Sequence, residues 1–408
     1  MDNASDIISR VANETYSATR CTMPEQPWWD NLEANFYKFP DDFALDSKTQ
    51  AVVEGTAYAD LALRTAAASL VSATALPLSA NPFQLRKDLE EPMYREFANQ
   101  GDSRLFFQDP PSKVKIREAE PSFLHFAPTA GECKLLSFKS PFEPVNFKLR
   151  DRYLRHKENR IAWAQYWHHK RGPRPTICVI HGFMADPYWL NRAFLALPWF
   201  YKQGYDILLY TLPFHGRRQW KYSPFSGHGY FSWGMSHINE TVAHSVHDFR
   251  IFMNYLESRG VEKMGVTGIS LGGYTSALLA AVEERLYFSI PNVPVVSVFD
   301  LMLQWEPAGT VIRAGMRMSG ASVQDGRHML AVHCPLTYPS KIPKERLMII
   351  GGAGDRLAPP KHARLLWDHW GRPRIHWFPG NHLLHLDQGR YLKEMASFLR
   401  EIDFAPKR

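Results

Sequence analysis

The sequence predicts an α/β protein in which a largely parallel sheet is covered by helices on both faces. Three observations lead there. Apolar runs at residues 176–183, 205–212, 263–267, 287–298, 346–352 and 374–378 read as buried strands, with helical segments between most of them. The run Gly268-Ile269-Ser270-Leu271-Gly272-Gly273 separates one such strand from a small-residue helix over 274–281. Two later strands stop at Gly354-Asp355 and Gly380-Asn381-His382, so polar groups collect where strands end.

Taken in order, residues 1–120 are expected to form a mostly helical extension, with 121–408 as the main domain. Residues 51–75 are rich in Ala and Leu, with Glu54, Asp60 and Arg64 at helical intervals, and predict one long helix ending before Pro77. Its least polar part, 65–80, is too short and too rich in Ser and Thr to span a bilayer. Trp28-Trp29, Phe36-Tyr37 and Phe39 are either core plugs or anchors at a headgroup layer. Pro110-Pro111 and Pro121 mark the junction. Strands over 135–149 and 161–168 suit the antiparallel opening of the sheet, and 171–175 is a loop. The strand 176–183 stops at His181-Gly182. A helix over 189–203 closed by Gly204 leads to the strand 205–212 and then Pro213-Phe214-His215-Gly216-Arg217-Arg218. Helices follow over 238–259, 361–370 and 388–402. Residues 300–341, with Trp305, Met316 and Met318, are expected to form either a cap whose Met and aromatic side chains suit acyl chains or helices buried against the sheet.

Composition narrows the classes. The 408 residues, 45% hydrophobic and 13% aromatic, supply a large core. Four widely spaced cysteines form no Cys-x-x-Cys pair, which points to a reducing compartment. The first six residues carry no basic start followed by an apolar core, so no secretory signal and a cytoplasmic location are expected. A net charge of +7 spread along the chain does not suggest nucleic-acid binding. Peripheral contact with anionic headgroups stays open, as does oligomeric state. His168-His169 and His382-Leu383-Leu384-His385 lack the acidic partner and spacing of a zinc helix, and no metal or cofactor is expected.

Strand, Gly-x-Ser-x-Gly, helix is the context of a nucleophile elbow, whose sharp turn pushes a serine oxygen out at the carboxyl end of a sheet. Such a serine needs a base, a carboxylate to orient it, and donors for an oxyanion. Asp355 and His382 stand after later strands in the order Ser, Asp, His. Through His181-Gly182, the Ser270 elbow, Asp355 and His382, residues 176–402 resemble an α/β-hydrolase, and the Leu212–Arg218 run is similar to a poorly characterised abhydrolase branch. The resemblance implies a Ser270, His382 and Asp355 triad, with the backbone N–H groups of Phe183 and Leu271 as oxyanion donors. It implies a cofactor-independent esterase, lipase or thioesterase acting on a small-molecule or lipid acyl substrate. His181, His215, Arg217 and Trp305 are expected to line or shape the substrate site. The residues leave alternatives: Asp300 as the orienting acid, His385 as the base, transfer of the acyl group to an alcohol or amine, and a non-catalytic binding protein.

Overall fold

The computed structural model describes residues 26–39, 47–121 and 131–406, together with Ala4, Ser5, Ile8, Phe43 and Leu45. Cys21 and most of the first 25 residues lie outside the described residues. Among these, nine strands form one sheet in the order β1-β2-β3-β5-β4-β6-β7-β8-β9. Strands β1 (Arg117–Ala119), β2 (Glu132–Lys139) and β3 (Ile161–His168) pair antiparallel with one another, and β3 pairs antiparallel with β5 (Asp206–Thr211). From β5 onward, β4 (Thr176–Ile180), β6 (Met264–Ile269), β7 (Leu286–Asn292), β8 (Met348–Gly352) and β9 (Arg374–Phe378) run parallel.

The central strands are apolar on both faces because both faces are covered. In β4, Cys178 and Ile180 enter one core with Val246 and Phe249 of the Met235–Ser258 helix and Ala277 of the Leu271–Val282 helix. Ile177 and Val179 enter the other with Leu197, Phe200 and Phe398. The fold class read from the sequence is the one observed.

Three local expectations are revised. The strand expected over 135–149 stops at Lys139, because Pro141 and Pro144 cannot donate to a ladder, and the N–H groups of Val145 and Asn146 bond the buried Glu240 carboxylate at 2.8 and 2.9 Å. The helix expected over 189–203 is two, Tyr188–Phe194 and Leu197–Lys202, broken where Ala196 turns left-handed at φ 48°. Pro198 lacks the N–H that would bond the Phe194 carbonyl, and Gln388 Nε2 donates there instead at 2.9 Å. β1 lies inside the stretch read as the extension, so the sheet begins before residue 120.

The N-terminal residues pack into the main core. The long helix is observed as Ser47–Thr74. Thr49, Val53, Ala57, Asp60 and Ala68 are its buried stripe. The tryptophans pack onto the main domain: Trp29 is buried and stacks on His328 at 4.7 Å, and the half-buried Trp28 donates from Nε1 to Thr337 Oγ1 at 2.9 Å. Phe36 is buried against His362. No helix among the described residues is long and apolar enough to cross a membrane. The segment read as a cap holds the helices Val298–Gln304, Ala308–Ser319 and Val323–Ala331.

Candidate active site

The turn at Ser270 is built by what its glycines allow. Ser270 has φ 58° and ψ −113°, a strained conformation for a residue with a Cβ. A Cβ on Gly268 would lie 2.5 Å from the Gly272 carbonyl oxygen, and one on Gly272 would lie 2.1 Å from that of Ile180. Only bare backbone lets the β6 end, the helix start and the β4 end pass this closely. The Ser270 N–H bonds the Asn292 carbonyl on β7 at 3.0 Å, and its carbonyl accepts from Tyr274 N–H at 2.8 Å. The backbone of the turn is thus tied down, while its hydroxyl makes no hydrogen bond among the described residues.

Asp355 follows β8 and His382 follows β9. His382 Nδ1 meets Asp355 Oδ2 at 2.6 Å, while Asp355 Oδ1 accepts the N–H groups of Leu357 and Ala358 at 2.9 and 2.7 Å. The Gly354 N–H donates to the Gly380 carbonyl at 3.0 Å, joining the two loops. Burial depresses the His382 pKa, but the charge of Asp355, its hydrogen bond and the charge of Asp60 outweigh that and hold it above the ordinary imidazole value. Among the described residues neither Ser270 Oγ nor His382 Nε2 makes a hydrogen bond, so the serine–imidazole contact is open. His385 is turned away from Asp355. It bonds Tyr391 Oη at 2.8 Å and the His382 carbonyl at 3.2 Å, and burial pulls its pKa to about 4. Asp300 is committed elsewhere, held in a fully buried pair with Arg327 at 2.6 and 2.9 Å.

The β4 turn abuts the elbow, since a Cβ on Gly182 would sit 3.5 Å from that of Ser270. The Phe183 N–H makes no hydrogen bond among the described residues, and Leu271, first in its helix, has no intrahelical acceptor for its own. Ser270 opens into a cavity of about 100 Å³, walled largely by Phe183, Phe231, Val298, Met302 and Trp305, with Val71 from the N-terminal helix. Leu357, two residues past Asp355, lines the same cavity, and Trp305 Nε1 donates to its carbonyl at 3.1 Å.

The expectation that His215 and Arg217 meet substrate is corrected, whereas His181 shapes the turn and does not line the cavity. His181 is fully buried, with Nδ1 bonded to the Gly182 carbonyl at 2.9 Å and Nε2 accepting the Leu212 N–H at 3.1 Å. It is a neutral brace for the turn before Phe183. His215 is also fully buried, with Nδ1 on the Pro213 carbonyl at 2.8 Å, and burial holds its pKa well below the ordinary value. Arg217 stacks on Trp163, 4.8 Å from the ring centre, and is absent from the cavity wall. Trp305 does line the cavity.

Sequence reasoning did not single out Asp60 as a site residue. Fully buried on the Ser47–Thr74 helix, it accepts the Arg356 and His382 N–H groups on Oδ2 at 3.0 and 2.9 Å. Burial and the nearby Asp355 charge raise its pKa to about 6. The available signal was an acid set in the apolar stripe of its helix. Among the described residues no group of three or more His, Cys, Asp or Glu is placed to hold a metal ion.

Comparison with known proteins agrees with this architecture. The family described as alpha/beta hydrolase domain containing 18 matches residues 138–301, which include the elbow but stop before Asp355 and His382. Uncharacterized proteins from two Mycobacterium tuberculosis strains, CDC 1551 / Oshkosh and H37Rv, are each 30% identical over 237 residues, 57% of this chain. The match spans about half the length of those relatives, 55%. Acetyl xylan esterase 1 from Thermoanaerobacterium sp. JW/SL YS485 superposes with a TM-score of 0.52 at 17% identity, over 78% of this chain and 98% of that one. The acetyl xylan esterase from Paenibacillus sp. R4 gives 0.51 at 13%, over 77% and 94%. At these identities the likeness is one of fold. With its sheet order, its strained elbow and these matches, the chain has the α/β-hydrolase fold and is similar to members of that superfamily.

Proposed function

We propose that the chain is a serine hydrolase that cleaves a carboxylic ester or thioester through an acyl-enzyme on Ser270. The observation that carries this reading is the 2.6 Å contact between His382 Nδ1 and Asp355 Oδ2, on loops at the sheet edge where the Ser270 elbow also ends. With Nδ1–H donated to Asp355, His382 Nε2 is left as the basic nitrogen. It takes the Ser270 proton as Oγ bonds to the acyl carbon and the carbonyl π electrons move onto oxygen. The Phe183 and Leu271 N–H groups receive that oxyanion. Collapse breaks the bond to the leaving oxygen or sulfur, which takes the proton from His382. Water then repeats the sequence and releases the acid.

The serine–imidazole contact closes when substrate is bound, as catalytic hydrogen bonds commonly tighten only in the complex. The apolar wall beside Ser270 suits the hydrocarbon part of an acyl group, or an apolar leaving group. The esterase names of the two solved structures are in keeping with ester chemistry but do not specify a substrate. The test is covalent labelling by a fluorophosphonate together with turnover of nitrophenyl esters. Wild type is expected to label at Ser270 and turn over, and Ser270→Ala to lose both with unchanged thermal unfolding. Undiminished ester turnover in Ser270→Ala would falsify the mechanism.

A further inference from the structure

The long N-terminal helix touches both loops that carry the proposed acid and base. Asn381 Nδ2 donates to the Thr56 carbonyl at 2.6 Å, and Arg64 Nη1 donates to the Arg356 carbonyl at 2.9 Å. A Cβ on Gly354 would lie 2.8 Å from Thr56 Oγ1 and from the Val53 carbonyl oxygen, so this loop is pressed onto the helix. Between Thr56 and Arg64 stands Asp60. One of its oxygens collects an N–H from each loop, that of Arg356 directly after the acid and that of His382 itself. Among the described residues its other oxygen, Oδ1, is buried with no partner.

A carboxylate kept there is costly unless it is useful. A capping serine or asparagine could accept the same two N–H groups without a buried charge. Resting on the reading of Ser270, His382 and Asp355 as the reacting set, we propose that Asp60 is a positioning residue of this site. It clamps the acid and base loops to each other and places a second negative charge near His382. The N-terminal helix is on this account a working part of the site.

The charged and titratable groups around it are Asp355 and Arg356 on the β8 loop, His382 and His385 on the β9 loop, and Arg64 on its own helix. Of these, Asp355 and Asp60 both favour the charged imidazole. Asp60 has a folded pKa of about 6 against an ordinary 3.8, so its stabilising contribution is complete below 3.8 and is lost as pH rises through about 6. Well above pH 6 its charge burdens the fold while it supports His382.

The experiment compares wild type with Asp60→Asn, which keeps an acceptor oxygen and removes the charge. The rate of fluorophosphonate labelling at Ser270 is followed against pH, with thermal unfolding measured in parallel. In Asp60→Asn the acidic limb is expected to move to lower pH, because His382 loses a charge that favours its protonated form. The plateau rate is expected to stay near that of wild type, because asparagine keeps an acceptor for both N–H groups. The unfolding temperature well above pH 6 should hold or rise, which a purely structural residue would not give. If wild type does not label at Ser270, the reading of the site fails and takes this inference with it. If wild type labels and the acidic limb of Asp60→Asn coincides with it, this inference alone is overturned. Should the variant not fold, amide hydrogen exchange of wild type decides. The Arg356 and His382 N–H groups must be protected like core strands, and exchange at open-loop rates overturns the clamp.

Discussion

Replacing Gly272 with alanine tests the elbow at its tightest point. The added Cβ would lie 2.1 Å from the Ile180 carbonyl oxygen, 2.6 Å from its carbon and 2.7 Å from the His181 carbonyl oxygen. All three are backbone atoms, so no rotamer change relieves them. To reach an ordinary contact of 3.4 Å, the Ile180 oxygen must move about 1.3 Å away from the helix. In an isolated helix the change from Gly to Ala would stabilise by about 1 kcal/mol. Overpacking of a fitted interior costs about 1–3 kcal/mol, so net destabilisation of up to about 2 kcal/mol is expected. The larger effect is on chemistry. The end of β4 leads through His181 and Gly182 to Phe183, so any retreat of Ile180 displaces one proposed oxyanion donor from the other, Leu271. Misplacing one such donor costs on the order of 10² to 10³ in kcat. Steady-state ester turnover and differential scanning calorimetry measure both. A folded Gly272→Ala with wild-type kcat would refute the argument that this contact sets the oxyanion geometry.

Two further outcomes are expected. For wild type, kcat/KM should rise with pH through an ionisation above the ordinary imidazole value of 6.5, since His382 must be neutral to act as base and its neighbours favour the charged form. The sign is opposite for stability. The raised His382 pKa contributes stability fully below 6.5 and loses it as pH rises through the folded value, so turnover should grow as calorimetric stability from this pair declines. A limb at or below 6.5 would argue against His382 as the base. Val71→Trp narrows the wall that the N-terminal helix gives the Ser270 cavity. Each methylene shut out of such a pocket is worth about 1–3 kcal/mol, so kcat/KM for longer acyl esters should fall on the order of tenfold or more relative to acetyl esters. An unchanged chain-length profile would show that the acyl group binds elsewhere.

What the sequence by itself determined is local. A strand, a Gly-x-Ser-x-Gly turn and a helix state the elbow within about twenty residues, because glycine spacing and side-chain periodicity are properties of adjacent positions. The order of strand ends likewise located Asp355 and His382, since parallel strands bring their carboxyl ends to one edge. Loops at that edge were harder. Asp300 and Asp355 both follow strands, and only the buried Arg327 opposite Asp300 shows where that acid is used. His215 carried no mark of its full burial, nor Arg217 of its stacking on Trp163. Asp60 lies hundreds of positions before the loops it holds, and in the sequence it is one acid at a helical interval. Its pairing with the Arg356 and His382 N–H groups was decided only when the N-terminal helix packed across the sheet edge, because a contact between segments so distant leaves no pattern in either of them.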